Sequence, residues 1–122
     1  MTATSVTAPD ARLVRIAKAL GDLDDVARLL KQGIPGTKPW QRRLSEHVTE
    51  VDRLLLVMRL AVAIERPDSE ILEASVAVHS ACRSMGAAIT GSRADGVTRD
   101  SVRLAIALAA HLHSELQGKA VG

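Results

Sequence analysis

The stretch Leu54-Leu55-Leu56-Val57-Met58-Arg59-Leu60-Ala61-Val62-Ala63-Ile64 carries one polar residue, Arg59, in eleven. A helix that is apolar nearly all the way round needs cover on most of its sides. The stretch is too short to span a bilayer, which takes roughly 20 apolar residues. It is therefore expected to be the buried spine of a small bundle of helices, around which the rest of the chain is arranged.

The rest of the sequence suits that role. A chain of 122 residues makes a single domain with a modest core. It contains no Phe or Tyr and one Trp. The core must then be built from Leu, Ile, Val, Ala and Met, which fill helix–helix seams well and make a poor β-sandwich or barrel. The same shortage of rings argues against base-stacking nucleic-acid modules and aromatic cages. A formal net charge of +2 is too small to imply a polyanionic partner. Cys82 is the only cysteine, so no internal disulfide can form. The segment Met1–Pro9 has neither a basic start nor an apolar centre, so no secretory signal is expected. A reduced cytoplasmic setting without membrane insertion is the expectation.

In chain order, residues 1–7 are small and polar and are expected to be a disordered tail. Thr7-x-x-Asp10 reads as a variant capping box opening a helix over 8–32. Leu13, Ile16, Leu20, Leu23, Ala27, Leu30 and Ile34 recur at spacings of three and four, in phase through Gly21. Gly33 is placed to be the left-handed terminator. A second helix over 40–66 carries Trp40, Leu44, Val48, Val51, Leu55, Met58 and Val62 on one face and is stopped by Pro67. Asp68 is expected to cap a third helix over 68–90, with Ile71, Ala74, Val78, Cys82, Met85 and Ile89 inward. Thr98 is expected to cap a fourth over 98–117, with a Val97–Val102 staple, closed by Gly118. Residues 119–122 are expected to be loose. Four such helices predict an all-α, up-and-down antiparallel four-helix bundle occupying 8–118.

Helices 2 and 4 carry more apolar surface than one bundle seam uses, and exposed apolar area of that kind marks interfaces. The expected function is a non-catalytic interaction module, an adaptor, regulator or assembly component. It would bind a protein partner or a second copy of itself through helix 4 or the end of helix 2. Leu104, Ala107, Leu108 and Ala110 are the candidate contact residues on helix 4. The basic cluster Lys38, Arg42 and Arg43 is the best anion patch. Between Glu46 and Glu73 the balance reverses to four excess negative charges, an asymmetry that suits docking to a charged protein partner or self-association at least as well as nucleic acid.

Other residues point to chemistry. His47 with Glu50 and His111 with Glu115 would form a two-histidine, two-carboxylate metal site only if helices 2 and 4 were neighbours, and no metal or cofactor is expected. Val78-His79-Ser80-Ala81-Cys82-Arg83-Ser84-Met85-Gly86-Ala87 resembles the phosphoacceptor segment of histidine phosphotransfer domains. Cys82 and Arg83 stand there where that family typically carries lysine and glycine. The resemblance implies a signalling bundle with His79 as phosphoacceptor. Arg42-x4-His47 is similar to the motif of the HEPN family of helical ribonucleases, which implies phosphate binding by Arg42 and acid–base work by His47. No Gly-rich phosphate loop, Ser-His-Asp set or pair of catalytic carboxylates is present.

Overall fold

A computed structural model describes residues 11–121 of the chain, with side chains through residue 117. It contains four helices: α1 (Ala11–Gly33), α2 (Pro39–Ala63), α3 (Asp68–Ile89) and α4 (Gly96–Val121). No strand occurs among the described residues. The tail over 1–7, the start of the first helix at residue 8 and the Thr7–Asp10 capping box lie outside them.

The helices form a closed ring in which α1 packs on α2 and α4, and α3 packs on α2 and α4. Within the described residues the diagonal pairs, α1 with α3 and α2 with α4, make no comparable contact. The core they enclose is aliphatic, as the composition requires. Leu23, Leu44, Leu55, Met58, Met85 and Leu112 are among its fully buried side chains. The inward stripe of α2 is as read from the sequence, with Leu44, Val48, Val51, Leu55 and Met58 all buried. On α1 the stripe begins one turn late: Ile16 is buried but Leu13 is half exposed.

The apolar stretch is not a buried spine. Leu55 and Met58 have no exposed surface, but Leu56 is 54% exposed, Val57 46%, Leu60 54% and Ile64 66%. The reason is the ring itself. A helix with two neighbours and nothing across the diagonal is covered on the core side and at two seams, and its outer face stays open.

Several helix ends differ from expectation. α2 stops at Ala63, before Arg66, because Glu65 takes a left-handed conformation with φ of 56°. The Arg66 amide then donates to the Ala61 carbonyl and the Glu65 amide to that of Val62. That is a Schellman ending, with a glutamate where glycine is usual. Gly33 is an ordinary helical residue and the left-handed glycine of that loop is Gly36, with φ of 76°. Asp95, rather than Thr98, caps α4, its carboxylate accepting from both the Thr98 amide and the Thr98 hydroxyl. Val97 is left exposed, and no staple with Val102 is made. α4 runs past Gly118 to Val121, so residues 119–121 continue the helix. The N-terminal turn of α2 is held by Gln41, whose buried Oε1 accepts from the amides of Thr37 and Lys38 and from the Thr37 hydroxyl.

Candidate functional site

The outer face of α2 is the main apolar surface of the bundle. At about 100° per residue, Arg53, Leu56, Val57, Leu60 and Ile64 fall on the side opposite Leu55 and Met58. Beside this face runs a groove between α1 and α2 lined by Leu13, Ala17, Gly21, Arg59, Val62 and Ala63. Arg59 spans it to Asp24 at 3.5 Å, and further along Lys31 reaches Asp52 at 3.2 Å. The single arginine of the apolar stretch thus serves the α1–α2 seam and leaves the outer face free of charge from Leu56 to Ile64.

The residues singled out on α4 do not make one face. Leu104 is half exposed and Leu108 partly buried, and the helical rotation places both on the side carrying Glu115, which meets Arg15 of α1 at 3.0 Å. Ala110 is partly buried on the other side, with His113, and Ala107 alone points outward, among Asp100 and Arg103. Sequence reasoning could not separate these, because alanines at helical spacing look alike on every side.

The histidines are dispersed. His47 and Glu50 on α2 lie across the diagonal from His111 and Glu115 on α4. Both carboxylates are already engaged, Glu50 by a two-pronged contact with Arg53 and Glu115 by Arg15. No group of three or more His, Cys, Asp or Glu side chains gathers at ion-binding distance among the described residues. Arg42 does not turn towards His47. Its guanidinium donates back to the carbonyls of Thr37 at 3.2 Å and Gly36 at 3.4 Å.

His79 is partly buried at the α3–α4 seam, with its ring stacked on that of His113 at a centroid distance of 6.3 Å. Burial, then the charge of Arg83 and the neighbouring His113, hold its pKa below the usual histidine value. Ser75, fully buried one turn earlier, lies 3.3 Å from His113 Nδ1. Sequence reasoning missed this pairing, since nothing in spacing alone registers α3 against α4. Cys82 points into the core, where burial raises its thiol pKa to about 12. At that value it stays a neutral thiol and packs as a small hydrophobe.

The basic cluster occupies one end of the bundle. Lys38, Arg42 and Arg43 are exposed around the start of α2. The loop between α3 and α4 adds Arg93, which was not singled out in the sequence because 50 residues separate it from Arg43. No helix among the described residues is long and apolar enough to cross a membrane. Compared with protein-family models, curated proteins and solved structures, the chain matches none.

Proposed function

We propose that the protein is a non-catalytic helical interaction module that self-associates through the outer face of α2. The observation carrying this reading is the run Leu56, Val57, Leu60 and Ile64, four large aliphatic side chains each about half exposed or more on one helix face. Four such side chains scattered singly would be ordinary surface. Gathered on one helix face, they form the kind of patch that marks an interface. The proposed seam pairs the face with its own copy. A two-fold axis near Leu60 sets Leu56 and Val57 of one copy against Ile64 and Ala63 of the second, and brings Arg53 of each towards Glu65 of the other.

The reading includes an up-and-down, antiparallel course for the four helices. Its support is the order of the inter-helix pairs: on α1 and α2, Asp24 meets Arg59 while Lys31 meets Asp52. On α1 and α4, Arg12 and Arg15 meet Glu115, whereas Leu30 lies with Val97 and Thr98. A cytoplasmic setting goes with it, in keeping with a lone cysteine held as a buried thiol.

The test is native mass by light scattering. The unmodified protein is expected to be a dimer and Leu60→Asp a folded monomer, while Ala107→Asp on the outer side of α4 leaves the dimer intact. A monomeric unmodified protein, or a dimer dissociated by Ala107→Asp and indifferent to Leu60→Asp, overturns the assignment.

A further inference from the structure

The positive charges of this bundle are not evenly neutralised. Along its sides Arg15, Lys31, Arg53, Arg59, Arg66 and Arg103 each reach a carboxylate, while Arg83 on α3 does not among the described residues. At the end formed by the α1–α2 and α3–α4 loops the pattern changes. Arg42 donates only to carbonyls of Gly36 and Thr37, and Arg99 only to those of Ser92 and Ala94. Among the described residues Lys38 reaches no carboxylate, and Arg43 and Arg93 have neither a hydrogen-bond nor an ion-pair partner. Asp95, the carboxylate of the α3–α4 loop, is occupied by Thr98.

Arg43 and Arg93 line one shallow, open cleft, together with Pro39, Trp40, Thr90 and Ser92. Two guanidiniums from separate segments present planar donor forks suited to an oxyanion. Their combined charge matches a phosphate monoester, which carries about −1.5 to −2 at neutral pH, better than a single carboxylate. Trp40, the lone tryptophan in a chain without Phe or Tyr, packs partly buried against the core and lines the same cleft. A ring beside an anion site is a surface on which a planar group can lie.

From these observations we infer that this end of the bundle is a binding site for a small phosphate monoester carrying a flat ring. Arg43 and Arg93 hold the phosphate and Trp40 flanks the ring. A single-stranded nucleic acid fits less well. Such ligands are held by several stacking rings along a basic groove, and here there is one ring and a charge cluster confined to one end. The site is separate from the outer face of α2 and does not depend on self-association.

The lone tryptophan makes the test direct, because all indole fluorescence comes from the cleft. Adenosine monophosphate is titrated into the unmodified protein and into Leu60→Asp, with excitation at the red edge of the indole band. Amide chemical shifts are recorded in parallel. A saturable response is expected in both proteins, with shifts confined to the Trp40–Arg43 and Thr90–Arg93 segments. Arg43→Ala and Arg93→Ala should each weaken binding at least tenfold, and Arg103→Ala, which removes an arginine paired with Asp100, should not. Adenosine without the phosphate should give no response, and inorganic phosphate should compete. No response by either method, or equal affinity in the Arg43 and Arg93 variants, overturns the inference. So does preferential binding of a single-stranded oligonucleotide with steep salt dependence, which would make the cluster a nucleic-acid surface.

Discussion

Ser75 is fully buried on α3, and its single hydroxyl proton goes to the carbonyl of Leu72 at 2.6 Å. Its oxygen can then only accept from His113, whose Nδ1 lies at 3.3 Å. That assigns the proton of neutral His113 to Nδ1 and leaves Nε2 bare at the α3–α4 seam. Protonating His79 puts a second positive charge beside Arg83. Because the pKa of His79 is lowered in the fold, the unfolded chain takes up a proton first as pH falls. The stability due to neutral His79 is complete above the unfolded value of 6.5 and is lost as pH drops below it. Thermal unfolding followed by circular dichroism should show Tm falling between about pH 7.5 and about pH 5.5, with a shallower fall in His79→Gln. An unchanged slope in the variant would show that His79 does not set the pH response. Gly21 gives a second prediction at this scale. It sits in the interior of α1, and a Cβ built on it meets nothing within 4 Å. Gly21→Ala should therefore stabilise the protein by about 0.5–1 kcal/mol in urea unfolding, through helix propensity alone.

At the scale of the element, α2 divides into two halves that differ sharply in cost. Leu55 is fully buried in the core, so Leu55→Ala should cost about 2–5 kcal/mol. Leu60, five residues on, faces outward, and Leu60→Ala should change the stability of the isolated bundle by no more than about 0.5 kcal/mol. Urea titrations at low protein concentration check both. The contrast also shows what was legible beforehand. The inward stripe from Leu44 to Met58 follows from the 3.6-residue period and needs no partner to be specified. Whether the opposite face is covered depends on how many helices surround α2. That is a property of the ring, and the apolar stretch alone suggested full burial. The same division holds for the helix ends. Pro67 announced a stop, but the left-handed Glu65 that places it at Ala63 has no signature in residue type, since that conformation is normally taken by glycine. For the candidate sites, Lys38, Arg42 and Arg43 were visible as a local cluster, whereas Arg93 and the His79–His113 pair join them or each other only through tertiary packing.

At the scale of the whole molecule, the two unusual surfaces lie apart: an aliphatic face along the later part of α2 and an unneutralised positive end where α2 begins. Self-association through the first, as proposed, would bury surface that a monomer leaves in water, and it would act only on the folded state. By mass action, folding and association would then be linked, and Tm would rise with protein concentration. For a patch built on Leu56, Val57, Leu60 and Ile64, the rise should be present in the unmodified protein and absent in Leu60→Asp. It should also survive charge reversal at Arg43 and Arg93, which lie at the other end. Arg53 tests the proposed pairing more finely. If it faces Glu65 of the second copy, Arg53→Glu places like charges together at both ends of the two-fold seam, and the concentration dependence should weaken. Arg53→Glu combined with Glu65→Arg should restore it, because exchanging both signs recovers the complementarity. Differential scanning fluorimetry across a hundredfold range of concentration reads all of these variants on one scale. Weakening without restoration would keep the α2 face as the interface and reject the two-fold axis near Leu60. A Tm independent of concentration in the unmodified protein would instead make the face a docking surface for a different chain.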